Sequence, residues 1–286
     1  MPIVSHGKAI LITCCVALLW SLAGFNIKMI DWSSYAIAGG RSIVAVCILT
    51  PLVWGSANRK IDIYVLGGAV CYAAFNYCFI ASTKLTTSAT AITMQYTAPV
   101  YVALLSWIFL RERITKSDII NIIFVLIGML LVFTDSTRSG NMIGNIIAVF
   151  NGITFAGVVI FLRKQKEGNP VMSMYLGNAL SGIIGVPFII KSGIPDLPSI
   201  LFLLLAGTLM GLTYMMYAKA SMSLSAFETV LLPILDPVMN PVWVYLILHE
   251  IPGMMTILGN VVILISVTAH IMYGFIIEHS NNERSI

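Results

Sequence analysis

The chain has 286 residues, of which 58% are apolar and only 10% charged, with a formal net charge of +4. Soluble domains run nearer roughly 45–50% apolar and about 25% charged, so a mean hydropathy of +0.94 makes hydrocarbon the solvent. Basic residues are scattered through breaks between apolar runs, which excludes a nucleic-acid face, and no stretch is long enough for a separate soluble domain.

Each bilayer crossing takes roughly 20 apolar residues in helical form. Taken in chain order, the apolar runs predict ten helices, near 8–30, 33–54, 62–82, 87–110, 116–134, 142–163, 170–190, 198–219, 224–248 and 253–277. The first run carries Lys8 and continues past Ile27, too long for a signal h-region, and so is read as a retained helix. Breaks fall at Asn58-Arg59-Lys60, Arg111-Glu112-Arg113, 136–141, 164–170 and 193–198; the one at 84–86 is the weakest. Asp62 and Asp118 sit where helix N-termini favour negative charge. All five cysteines lie in apolar segments without CxxC or Cys/His spacing, so they read as small apolar residues; no metal or cofactor is expected.

Orientation follows from Lys and Arg placement. With the N-terminus in the cytoplasm, eleven basic residues fall inside and four (Lys28, Lys84, Arg138, Lys191) outside, with Arg41 within a helix. Both termini are therefore expected in the cytoplasm. The chain also repeats itself. Tyr77, Ala81, Ser88 and Ala89 match Tyr214, Ala218, Ser225 and Ala226 at an offset of 137; Pro99 and Glu112 match Pro237 and Glu250 at 138. At lower similarity Trp20 and Lys28 fall against Phe155 and Arg163, and Gly40-Arg41 against Gly177-Asn178. Five helices per copy is an odd number, so the second copy enters the membrane from the other side. The expected fold is an all-α integral membrane protein of ten transmembrane helices in two inverted five-helix repeats, 1–138 and 139–286, forming one membrane domain.

These features resemble the EamA type of the drug/metabolite transporter superfamily across nearly the whole chain. The resemblance rests on four elements: the opening Leu18-Leu-Trp-Ser-Leu-Ala-Gly-Phe-Asn-Ile-Lys28, the repeated prolines Pro99 and Pro237, the helix-closing Glu112 and Glu250, and the small residues Gly128 and Ser266, each 16 positions beyond its Glu. Asn121 and Ser266 depart from the family's usual glycines, although Gly259 is kept. What the resemblance implies is a metabolite exporter in a cell membrane (the bacterial inner or plasma membrane), with a central cavity lined mainly by helices 1, 3, 4, 6, 8 and 9. Substrate does not transfer with the family, whose members export amino acids, metabolites or drugs and carry sugar phosphates.

Several residues are candidates for chemistry, each with a plainer reading beside it. Arg41 either holds a substrate carboxylate or phosphate, or is satisfied by an internal ion pair or freed carbonyls. Glu228 and Asp236, both on helix 9, are candidates for binding a proton or a substrate amino group; helix-start capping competes for Glu228, and a bond to Arg41 or helix-4 backbone for Asp236. Pro233, Pro237 and Pro241 each remove a backbone bond from that helix at membrane depth. Trp20, Asn26, Tyr72, Asn76, Tyr77, Gln95, Tyr96, Asn151, Phe155 and Tyr214 are the predicted cavity lining, against interhelical packing as the alternative. Lys28 and Arg163 read as snorkelling side chains or gates.

A membrane enzyme needs clustered nucleophile, base or metal ligands at depth, and four His with no HxxxD or HExxH pattern do not supply them. A scaffold needs an output surface, which such short loops lack. The reading is a carrier working by alternating access, with small neutral or aromatic amino acids as first-choice cargo. A multidrug or cationic-amine exporter coupled to protons is the alternative. Partners reduce to a small-molecule substrate and the bilayer, without nucleic acid, and a monomer suffices.

Overall fold

The structure, a computed structural model, describes residues 4–55, 60–86, 88–95, 98–111, 115–139, 142–165, 170–248 and 253–283. Among them every regular element is helical: α1 (His6–Trp20), α2 (Ala23–Lys28), α3 (Ser34–Trp54), α4 (Ile63–Leu85), α5 (Ser88–Gln95), α6 (Ala98–Leu105), a π-helical turn (Ser106–Leu110), α7 (Lys116–Ser139), α8 (Met142–Lys164), α9 (Pro170–Ser192), α10 (Leu197–Ser221), α11 (Ala226–Leu231), a 3₁₀ turn (Leu232–Ile234), α12 (Leu235–Leu248) and α13 (Met254–Glu283). Helix is forced because a peptide group in hydrocarbon finds its hydrogen bond inside its own segment. Six spans of 21 to 25 residues are long and apolar enough to cross a membrane: His6–Lys28, Ser34–Trp54, Ile63–Leu85, Met142–Lys164, Pro170–Ser192 and Leu197–Ser221. At 1.5 Å per residue each covers about 30 Å, the thickness of the hydrocarbon layer. Helix starts are fixed by short polar side chains. Asp62 Oδ1 accepts from Val65 N at 2.8 Å, and Asp196 Oδ1 from Ser199 N at 3.3 Å.

The predicted first and ninth helices are each interrupted. The first breaks at Ser21–Leu22 between α1 and α2. In the predicted fourth, the described residues Ser88–Gln95 and Ala98–Leu105 are helical. The ninth tightens into the 3₁₀ turn at Pro233. Glu112, Arg113 and Glu250 lie outside the described residues.

Large apolar side chains face outward along whole helices. On α7, Ile119, Ile120, Ile123, Phe124, Ile127 and Leu130 are exposed, a face that water would not tolerate and lipid does. Inside, α3 packs on α9, α7 on α13, α4 on α8 and α9, and α10 on α1 and α3. Lipid offers no less apolar surroundings than another helix, so close packing has to hold these pairs together. Glycine permits it at the α3–α9 crossing, where a Cβ on Gly39 would stand 2.5 Å from Gly185 Cα. On the α7–α13 pair, Gly128 meets the Gly259 carbonyl in the same way. The two departures from glycine face each other: Ser266 Oγ donates to Asn121 Oδ1 at 2.6 Å. An interhelical hydrogen bond thus joins α7 and α13 at this level.

Gly39→Val drives a branched side chain into the Gly185 backbone, and overpacking of this kind costs about 1–3 kcal/mol or more. The expected result is a lowered thermal midpoint of the detergent-purified protein, whereas Gly7→Ala, whose added Cβ meets nothing within 4 Å, leaves it unchanged.

Candidate functional site

The broken helices meet in one place. At the α1–α2 break, Ser21 O accepts from Asn240 Nδ2 at 2.8 Å, and Trp243 Nε1 donates to Ser21 Oγ at 2.9 Å. Ser88 Oγ, at the start of α5, lies 3.3 Å from Asn240 Oδ1. One amide on α12 thereby ties α1, α2 and α5 together. Gly24 is needed for this approach, since a Cβ there would fall 1.9 Å from Ser88 Oγ and 2.4 Å from Asn240 Nδ2.

Beside this junction is a small cavity lined from α1, α2, α3, α4, α5, α10 and α12. Two apolar clusters close it along the helix axes. On one side stand Ile27, Ile30, Phe79, Ile92 and Leu203. On the other stand Trp20, Tyr72, Phe75, Phe155, Tyr214 and Tyr217. Trp20 is the hub of the second cluster, with ring centroids 4.7 Å from Tyr214 and 4.9 Å from Tyr217, and its Nε1 donates to Thr213 Oγ1 at 2.8 Å.

Its polar groups come from opposite helices. Arg41 lines it from α3 and is only 4% exposed. Arg41 Nε and Nη2 both donate to Asn76 Oδ1, the Nε bond at 3.0 Å, and Asn76 Nδ2 donates onward to Ser42 Oγ at 2.9 Å. Its guanidinium also lies 5.8 Å from the centre of the Phe79 ring. Asp236 lines the cavity from α12, likewise 4% exposed. Among the described residues neither Arg41 nor Asp236 has an oppositely charged side chain within 4 Å. Asp236 Oδ1 and both amide atoms of Asn26 are buried without a hydrogen-bond partner. Leaving a buried donor or acceptor unsatisfied costs about 1–3 kcal/mol, and more for a charge, which makes this cavity the candidate site.

Of the residues singled out by sequence, Trp20, Asn26, Arg41, Gln95, Tyr214 and Asp236 line this cavity. Asn76 stands behind it as the partner of Arg41, and Asn151 as the donor to Gln95 Oε1 at 2.8 Å. Tyr72 packs edge-on against Tyr214 at 4.9 Å, its hydroxyl accepting from Asn178 Nδ2 at 3.2 Å. Helix 6 was expected in the lining, but Phe155 is screened from the cavity by Trp20 and Phe75, which it contacts at 6.3 and 5.2 Å. Arg41 brings in helix 2, which the resemblance places at the periphery. Tyr77 points elsewhere: its hydroxyl donates to Ser181 O at 2.7 Å on α9. Glu228 is a capping residue. Its Oε2 accepts from Ser225 N at 2.7 Å while Ser225 Oγ accepts from Glu228 N at 3.0 Å, and His6 Nε2 lies 3.1 Å from its Oε1. Tyr96 lies outside the described residues. Sequence reasoning missed Phe75, Ala206, Leu209 and Met210, which form much of the apolar wall. No polar signal distinguishes them from the many other apolar residues of α4 and α10.

Asn240→Ala leaves Ser21 O and Ser88 Oγ without their partner, a loss of about 1–3 kcal/mol. The expected outcome is a lower thermal midpoint that Asn240→Gln does not restore, because the longer side chain displaces the junction at Gly24.

The sequence profile of the EamA-like transporter family matches the chain twice, over residues 7–134 and 142–272. Among curated proteins, an uncharacterized transporter of Helicobacter pylori strain J99 is 27% identical over 159 residues, 52% of each chain. Solute carrier family 35 member G1 of Mus musculus is 23% identical over 220 residues, 69% of this chain and 56% of that one. The chain thus spans about half the length of the curated relatives it matches. A solved crystal structure superposes with a TM-score of 0.74 at 17% identity, covering 94% of this chain and 99% of the other, a likeness of fold. With outward-facing apolar helices and a family match across nearly all its length, this multi-pass membrane protein belongs to the EamA-like transporter family.

Proposed function

We propose that the protein is a carrier that exports small zwitterionic metabolites, neutral or aromatic amino acids first among them, by alternating access of two inverted five-helix halves. The halves in this reading are α1–α7 and α8–α13, with α1 and α2, α5 and α6 plus the π turn, and α11 and α12 each counted as one span. Exchanging the halves maps the helix pairs onto one another. The α4–α8 contact becomes α10–α1, α4–α9 becomes α10–α3, α6–α8 becomes α12–α1, and α3–α9 and α7–α13 map onto themselves. That exchange, together with the double family match, supports the repeat.

One observation carries the substrate class: Arg41 and the carboxyl group of Asp236 line the same cavity, neither with a salt-bridge partner among the described residues. A buried charge without its counter-charge costs several kcal/mol. A zwitterion answers both, its carboxylate on Arg41 and its ammonium on Asp236, with Asn26 and Gln95 supplying neutral bonds. The aromatic walls of Trp20, Phe75 and Tyr214 suit an apolar or aromatic side chain. A simple cationic amine would leave Arg41 unanswered and add a second positive charge to the cavity, so the drug reading falls behind. A sugar phosphate wants several convergent cations, and Arg41 is the one cation among the described lining residues. Export, and both termini in the cytoplasm of a bacterial inner membrane, rest on the resemblance and the Lys/Arg bias.

The test is counterflow in proteoliposomes loaded with unlabelled phenylalanine and given a trace of labelled phenylalanine outside. Wild-type protein accumulates label above protein-free vesicles. Arg41→Gln and Asp236→Asn each raise the half-saturating concentration by about tenfold or more, as loss of one charge-assisted contact predicts. Tyr77→Phe, outside the cavity, behaves as wild type. An Asp236→Asn protein with unchanged uptake and unchanged pH dependence would remove both the ammonium site and any proton coupling through this carboxyl.

A further inference from the structure

A second concavity lies away from the central site, between α7 and α13 on the outer face of the bundle. It is an open groove. Its floor and walls are graded along the two helix axes. At one end stand exposed Lys116 and Tyr273, in the middle Asn121 and Ser266, and beyond them Phe124 and Ile265. The two helices run antiparallel here, since the N-terminus of α7 meets the later turns of α13 in one groove. Asn121 is 2% exposed, and its Oδ1 takes the hydrogen bond from Ser266, which leaves its Nδ2 buried without a partner. The amide is therefore an unmet donor in the lining of a groove whose deeper part, at Phe124, Val262 and Ile265, is apolar.

The vertical order of these groups has a chemistry. Lys116 and Asn121 are separated by about 7.5 Å along the helix axis. The polar layer on each side of the hydrocarbon core is about 5–7 Å thick, so a cation at its outer edge and a buried donor at its inner edge match the phosphate and the ester carbonyls of a glycerophospholipid. Lys and Tyr are also side chains that settle at this interface. Below Asn121 the groove is apolar and has the depth for an acyl chain. We propose that the α7–α13 groove holds one glycerophospholipid, its phosphate on the Lys116 ammonium and an ester carbonyl accepting from Asn121 Nδ2. The lipid would supply the bond the amide lacks and fill the space beside the glycine-packed pair, holding α7 on α13.

Native mass spectrometry of the detergent-purified full chain with added dioleoylphosphatidylglycerol tests this directly. The expected result is one retained lipid per chain. Ala269→Trp, which fills the groove without touching the Asn121–Ser266 bond, weakens retention about tenfold, a loss of the whole site. Lys116→Gln and Asn121→Leu weaken it several-fold, and dioleoylglycerol, lacking the phosphate, binds wild type as poorly as the phospholipid binds Lys116→Gln. Equal retention by wild type and Ala269→Trp would place the lipid elsewhere and overturn the proposal, as would indifference to both Lys116→Gln and Asn121→Leu. A wild-type dimer dissolved by Ala269→Trp would overturn it too, by giving the groove to a second copy. Lipid retention is read without transport, so its outcome and that of counterflow are separate.

Discussion

A peptide group inside hydrocarbon has no water to turn to, and this constraint dictates where the protein is able to be anything other than helix. Five of the six long apolar spans run unbroken because nothing in them relieves that demand. Where the helices do depart from regularity, at Ser21–Leu22 and at Leu232–Ile234, they lie beside the central cavity. The freed groups at the first break are met by side chains: the Asn240 amide reaches Ser21 O, and the Trp243 indole reaches Ser21 Oγ. A helix break is tolerable at depth only where other side chains complete it, so the site and the breaks have to coincide.

The cavity carries the opposite imbalance. Ser21 O and Oγ are both hydrogen-bonded, whereas Asn26 and Asp236 hold buried polar atoms with no partner among the described residues. Arg41 fits the same pattern, since two of its donors converge on one Asn76 oxygen and no carboxylate stands within 4 Å among the described residues. The aromatic cluster around Trp20 and the aliphatic cluster around Ile27 and Ile30 then separate this polar pocket from the two ends of the bundle.

Much of the fold was legible in the residues. Long apolar runs and their basic breaks predicted the helices, because hydrophobic length is a local property. The prolines pointed to the interrupted ninth helix, and the Ser225-x-x-Glu228 spacing already carried the capping alternative that the structure adopts. Arg41 and Asp236 stood out because charges at membrane depth are costly. What the sequence hid was adjacency. The Asn240 junction joins residues 152 and 219 positions apart, which no local pattern encodes. Internal similarity misled at Tyr77: it is the repeat partner of Tyr214, yet one faces α9 backbone and the other faces the cavity. Equivalent positions in two halves meet different neighbours, so a repeat predicts architecture better than it predicts roles. Asn121 and Ser266 looked like two independent departures and are one hydrogen bond.

The central claim is that Arg41 and Asp236 together recognise the two poles of one molecule. The most direct measurement is equilibrium binding to the purified protein of phenylalanine, phenylalanine amide and the deaminated acid 3-phenylpropionate. All three share the ring and differ only in which charge is present. A site built for both poles binds the amino acid at least about tenfold more tightly than either single-pole analogue. Equal affinity for the amide would contradict a carboxylate contact at Arg41, and equal affinity for the acid would contradict an ammonium contact at Asp236.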